Sequence, residues 1–222
     1  MSQEPVLITQ RMKTPRAAAI AGIVFSLLLI TSMLLIWTSV PADPRGPAAD
    51  VVSHLKAISF SYNLLPFAGV AFLWFIAVVR DRLGVLEDRF FATVFLGSGL
   101  LFIAMMFNVG ALAGGLIDTL SSRSGDLIQS GTYSLSRAEI YQTMHTYAMK
   151  MAGVFMITTS TISLRTRIFP RWMAMLGYVL ALVLLLSLGR MAWFLLVFPV
   201  WVFLISVYIL IDNFQERSVA AA

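Results

Sequence analysis

A single lysine, Lys150, interrupts a stretch of chain that otherwise has the composition of a membrane-spanning helix. The stretch reads TMHTYAMKMAGVFM and runs from Thr143 to Met156. An ammonium group near the bilayer centre costs about 2.5–3.5 kcal/mol even on lenient insertion scales, so such groups are rare and often belong to functional sites. Lys150 is therefore predicted to be the binding charge for an anion or a polar small molecule. The alternative is a lysine that only fixes helix packing.

Other polar side chains accompany Lys150 on one side of the same predicted helix. At about 100° per residue, the residues that project within the Lys150 stripe are Thr143, Thr146, Tyr147, Gly153 and Thr161. Because lipid would leave these groups unpaired, the stripe is predicted to face the interior of a helical bundle.

Asn108 is predicted to meet Lys150 from a neighbouring helix. Asn108 lies ten residues inside Asp118, and Lys150 lies ten residues inside Ile140, so both fall about 15 Å from the outer end of their helices. Tyr178 of the next helix lies at a similar predicted depth. Small residues let helices approach closely, and the face around Asn108 consists of Gly97, Leu101, Ala104, Ala111, Leu112, Gly115 and Thr119.

No carboxylate is expected at the depth of Lys150. The amine is therefore neutral, or it is cationic with carbonyl, hydroxyl or amide partners, or it pairs with an anion from outside the chain.

A secondary polar site is predicted around a proline in the segment SYNLLPFAG. Pro66 removes a helical hydrogen bond and frees the carbonyl of Tyr62, and Asn63 lies beside it. A freed carbonyl and an amide can bind a cation or a polar ligand. The more common alternative is a kink whose polar groups are satisfied by neighbouring helices.

Enzyme and cofactor chemistry finds little support. The chain has no cysteine, which excludes disulfides and thiolate metal sites. Sequence motifs of metalloproteases, serine hydrolases and phosphate-binding loops are missing. The two histidines, His54 and His145, could be haem ligands in a haem-binding membrane oxidoreductase. This is a weaker interpretation, because the two histidines are predicted to lie at different depths. We expect no metal and no cofactor.

Composition places the whole chain in a membrane. Of its 222 residues, 59% are hydrophobic and only 12% are charged, against roughly 25% charged in soluble domains. The net charge of +5 comes from residues at the ends of apolar stretches, so it is not the footprint of a nucleic-acid partner. An all-α polytopic bundle with the lipid bilayer as its surroundings is predicted.

Six apolar segments have the length that a helix needs to cross about 30 Å of hydrocarbon. They form one predicted integral-membrane domain, 1–222, with spans at 17–40, 58–79, 91–120, 140–164, 169–188 and 191–211. With the N-terminus inside, inner segments hold ten Lys and Arg residues and outer ones five. This asymmetry predicts that both termini are cytoplasmic. Longer outer loops are predicted at 41–57 and 121–139.

The stretch RTRIFPRWMAMLGYVLAL, from Arg165 to Leu182, resembles a motif of uncharacterised bacterial membrane proteins with about six spans. In that motif a basic loop and Pro-Arg-Trp precede a span that contains Gly-Tyr. The stretch TPRAAAIAGIVFSLLLI is similar to the beginning of their first span. The resemblance implies a six-helix fold in a bacterial inner membrane, and it implies no activity.

Two functional classes follow from these residues. The first is a small channel or transporter with Lys150 at its centre and Asn108, Tyr147 and Tyr178 nearby. The second is a non-transporting scaffold or accessory subunit, in which Lys150 and Asn108 only fix helix packing. Polar groups are scarce in the first and sixth spans, so a pore would need a homo-oligomer to complete it.

Overall fold

The computed structural model describes residues 14–39, 53–83, 89–129, 131–166, 169–186 and 193–220. These ranges are almost entirely helical and contain no β-strand. The predicted all-α class is confirmed.

The described helices follow one another along the chain. Their bounds are α1, Thr14–Ser39; α2, Leu55–Leu83; α3, Arg89–Gln129; α4, Gly131–Gln142; a π-helix, Thr143–Ala148; α5, Met149–Thr166; α6, Arg171–Leu186; and α7, Phe194–Ala220.

Within the described residues, four helices are long and apolar enough to cross a membrane. These stretches are Ala19–Ser39, Leu55–Arg80, Phe90–Ser122 and Phe194–Asp212, and they coincide with the first, second, third and sixth predicted spans. The fourth predicted span is divided by the π-helix, and the fifth corresponds to the shorter apolar helix Arg171–Leu186. The predicted ends of the first and fifth spans, at 40 and 188, and the predicted start of the sixth span, at 191, lie outside the described residues.

The predicted outer loop at 121–139 is wrong, because most of this segment is helical. Helix α3 continues to Gln129 and α4 begins at Gly131. The hydroxyl groups of Ser121 and Ser122 donate to the carbonyl of Asp118 at 2.8 and 3.0 Å, so these serines bond within the helix that they were expected to end. The other predicted outer loop, 41–57, lies mostly outside the described residues.

The long helices pack mostly against their neighbours in the chain, and the first helix also packs against the last. Helix α1 packs against α2 and α7, α2 against α3, α3 against α5, and α5 against α6. Smaller contacts join α7 to α5 and α6. This arrangement gives each helix an inward side.

Five phenylalanine rings from five helices meet on that inward side. They form the phenylalanine cluster, and each is 0 or 1% exposed: Phe25, Phe72, Phe102, Phe155 and Phe198. Phe72 contacts the other four, with ring centroids 4.5 to 5.5 Å apart. Aromatic pairs at these distances stabilise a core beyond their buried area. At the depth where these five rings meet, the cluster fills the centre of the bundle.

Glycines permit the closest helix crossings. A Cβ atom at Gly177 of α6 would overlap the Ser160 hydroxyl and lie 3.0 Å from the indole nitrogen of Trp201. A Cβ atom at Gly22 of α1 would overlap the Ser206 hydroxyl of α7. Neither crossing has room for a side chain.

Candidate functional site

Lys150 reaches from α5 to the end of α6. Its side chain is half-buried, and its ammonium donates a hydrogen bond to the backbone carbonyl of Leu185. Leu185 is the residue before the last of α6, and the last four carbonyls of a helix have no donor within that helix. The ammonium therefore caps the C-terminal end of α6.

The electrostatics of this contact favour a cation. The C-terminal end of a helix has a partial negative charge, so an ammonium there is stabilised and an anion is repelled. An anion drawn to Lys150 would also compete with the Leu185 carbonyl. The contact supplies a backbone carbonyl as the partner of Lys150, one of the partners that the sequence leaves open.

The α5–α6 interface contains a second polar contact beyond Lys150. The hydroxyl groups of Thr161 and Tyr178 are 2.7 Å apart. Between the two contacts, a Cβ atom at Gly153 would lie 3.3 Å from the carbonyl of Ala181. Lys150, Gly153 and Thr161 therefore share one face that packs on α6, and Tyr178 joins this stripe opposite Thr161.

A π-helix, Thr143–Ala148, ends two residues before Lys150 and includes the rest of the predicted stripe. Thr146 donates to the side-chain carbonyl of Gln142 at 2.8 Å, Thr143 is half-buried, and Tyr147 is exposed. Because a π-helix has more residues per turn than an α-helix, projection at regular α-helical spacing does not hold across this segment. Such segments are frequent at functional sites.

The structure does not bring Asn108 to Lys150. Asn108 is exposed on α3, whereas the Lys150 side chain reaches α6. Helix α3 presents its bulky residues to α5 instead, and the rings of Phe95 and Phe155 stack at 4.7 Å between centroids. Burial of large aromatic side chains removes more apolar area than burial of alanine and glycine, so the small-residue face is outside.

The polar group freed by Pro66 lies at a helix contact. Helix α2 continues through Pro66, and the carbonyl of Tyr62 would be 4.0 Å from a Cβ atom at Gly110 of α3. Asn63 is exposed and Tyr62 is half-buried. This geometry favours a packing role for the kink, and the secondary site at Tyr62 and Asn63 remains a prediction.

Each histidine contacts a residue of its own segment. The Nδ1 atom of His54 is 2.8 Å from the Ser53 hydroxyl, and His145 stacks on Tyr141 with ring centroids 3.9 Å apart. The structure gives the haem reading no added support. In the part of the chain that is described, no group of three or more His, Cys, Asp or Glu side chains is placed to hold a metal ion.

The comparisons with known proteins identify no relative. No family model, curated protein or solved structure matches this chain. The site is therefore interpreted from its own geometry.

The partner that the structure gives Lys150 could not be found from residue types, because it is a backbone carbonyl. Leu185 acts through its backbone carbonyl, one residue before the last residue of α6. Sequence signals for a helix end are Gly, Asn or Pro just after it. Gly189, three residues after Leu186 in the sequence, is a signal of this kind. It does not indicate which side chain contacts the end of the helix.

Proposed function

We propose that this protein is a non-transporting membrane scaffold or accessory subunit. The observation that carries the proposal is the phenylalanine cluster, which fills the bundle centre with rings from α1, α2, α3, α5 and α7. A path for polar solutes needs polar groups or water at successive depths. To open one here, the five rings would have to move apart and lose their mutual contacts.

Lys150 has a structural role in this proposal. Its ammonium satisfies a carbonyl at the end of α6, which would otherwise lack a donor in a medium without water. The α5–α6 pair is thereby fixed in register, with the Thr161–Tyr178 contact as a second fixed point.

Replacing Lys150 with methionine is expected to destabilise the protein by about 1–3 kcal/mol, the cost of leaving a buried polar group unsatisfied. Sequence reasoning alone predicts a neutral or mildly stabilising change, and the Leu185 contact reverses that sign. The measurement is chemical unfolding in detergent micelles, with the exposed Lys56→Met as the matched control. Equal stability of wild type and Lys150→Met would contradict the capping role.

The same variants test transport in reconstituted liposomes. For a panel of inorganic anions and small polar solutes, we expect wild-type flux to equal that of protein-free liposomes. Flux of any solute above this background would overturn the scaffold proposal, whatever the stability of Lys150→Met.

A channel or transporter for an anion or polar small molecule is the second candidate function. The observation that favours it is the π-helix Thr143–Ala148, which ends two residues before the half-buried Lys150. In this case a solute would displace the Leu185 carbonyl from the ammonium. Wild type would then show flux, and Lys150→Met would fold but abolish it.

The proposed topology has six spans with both termini in the cytoplasm of a bacterial inner membrane. Its fourth span, 140–164, lies within the helical run 131–166, and its fifth span, 169–188, includes α6. Its support is the Lys and Arg asymmetry between alternate loops.

Cysteine labelling provides the test of orientation, because the chain has no cysteine of its own. Ser122→Cys, on an exposed residue of α3, should react with an impermeant thiol reagent added outside intact cells. Gly84→Cys, which lies outside the described residues, should react only after the membrane is permeabilised. The opposite pattern would place the termini outside.

A further inference from the structure

Helix α3 has an exposed face with the spacing of a coiled-coil interface. Its residues follow one another in alternating steps of three and four, which is a repeat of 3.5 residues. We name this face the α3 seam; it consists of Gly97, Leu101, Ala104, Asn108, Ala111 and Gly115. Five of these six residues are exposed, and the sixth, Gly97, is half-buried.

The amide of Asn108 lies on this face near the middle of the bilayer. A Cβ atom at Gly69 of α2 would overlap the ring of Phe107, so Asn108 is level with Gly69. Gly69 is near the centre of the charge-free stretch between Lys56 and Arg80. Within the described residues, the Asn108 side chain makes no hydrogen bond, and hydrocarbon offers none.

Among the described residues, no other helix of the protomer contacts the glycines of the seam at Gly97 or Gly115. Nothing lies within 4 Å of a Cβ atom built at Gly97 or Gly115. In contrast, Cβ atoms at Gly22 and Gly177 would overlap neighbouring helices. Glycine weakens a helix relative to alanine, and contacts within the protomer do not explain it on this face. A close approach by another helix does.

A second copy of the chain fits this face better than a lipid or an unrelated helix. Copies inserted in the same direction present parallel α3 helices, so Asn108 meets its counterpart at the same depth. An amide is both a donor and an acceptor, which makes two identical amides complementary across a two-fold axis. A single asparagine in a parallel heptad interface is also a known device for fixing register.

We infer that two copies associate as a parallel dimer through the α3 seam, with Asn108 hydrogen-bonded to the partner's Asn108. The inference goes beyond the proposed function and does not depend on it, because a scaffold and a transporter can both be dimeric.

Cysteine cross-linking in phosphatidylcholine vesicles tests the interface. Ala111→Cys places a thiol on the α3 seam, and Val70→Cys places one on an equally lipid-exposed position of α2 at similar depth. We expect oxidation to link most Ala111→Cys protomers into dimers and few Val70→Cys protomers. Cross-linking at Ala111 that is no greater than at Val70 would overturn the proposal.

Changes at Asn108 test the hydrogen bond itself. In the Ala111→Cys background, Asn108→Leu should weaken the dimer about tenfold, as expected for loss of an interhelical hydrogen bond. Asn108→Gln keeps an amide and should retain most of the cross-linking. Unfolding measurements should show all variants folded, because the residue is exposed. Equal cross-linking in Asn108→Leu and wild-type seams would remove Asn108 from the interface and overturn the proposal.

Discussion

Replacing Phe72 with alanine is expected to lower the free energy of unfolding by about 3–5 kcal/mol. Phe72 is fully buried, and its ring contacts the rings of Phe25, Phe102, Phe155 and Phe198. Alanine would leave a cavity among four other helices, and a rigid aromatic cluster collapses only partly into such a space. The expected signs are a lower unfolding midpoint and a lower folded yield in detergent.

The matched control for this variant is on the same helix. Phe67 is also a phenylalanine of α2, but it is 67% exposed and faces away from the cluster. Phe67→Ala should change the free energy of unfolding by less than about 1 kcal/mol in micelles, since its surroundings are detergent in both states. Similar losses for the two variants would show that the cluster is not the centre of stability.

The second large effect is expected at Gly177, where alanine should destabilise the protein by about 1–3 kcal/mol through overpacking. The new methyl group would overlap the Ser160 hydroxyl and press on the Trp201 indole at 3.0 Å. Ser160 can rotate, but Trp201 is fully buried and has no space to move. The contact between α6 and the adjoining helices would therefore widen.

Gly114→Ala is the control that separates this clash from general effects of removing glycine. Gly114 lies outside the α3 seam, and none of the described residues comes within 4 Å of a Cβ built there, so alanine should be neutral or stabilise α3 by up to about 1 kcal/mol. Unfolding of both variants should be measured in dilute micelles. A destabilised Gly114→Ala together with a stable Gly177→Ala would mean that the helix contacts are wrongly assigned.

Some features of the site follow from residue types alone. The hydroxyl group of Thr161 and the ammonium of Lys150 lie on one side of a regular helix, and such groups avoid lipid. The structure places both against α6, where Thr161 meets Tyr178 and Lys150 meets Leu185. The sequence also made Tyr178 a neighbour of this stripe, although it lies opposite Thr161 and not beside Lys150.

Other features depend on information that a local pattern does not contain. Between Phe90 and Ile117, helix α3 is apolar over most of its surface, and the polarity of Asn108 did not indicate which side is inward, because Asn108 is exposed. The small-residue face was predicted to receive α5, but the phenylalanine face does. Which face of α3 is buried depends on the total apolar area that large rings remove from the surroundings when five helices meet.

The sequence by itself predicted the helical class of the described residues, the positions of four helices long and apolar enough to cross a membrane, and a partner for Lys150. Hydropathy decides the first two, because transfer of a long apolar helix into lipid is favourable whatever its neighbours are. Only the tertiary structure decided which partner Lys150 has and that the bundle centre is closed. Both depend on where neighbouring helices end and on how side chains distant in sequence fill one volume, and these are properties of the assembled bundle.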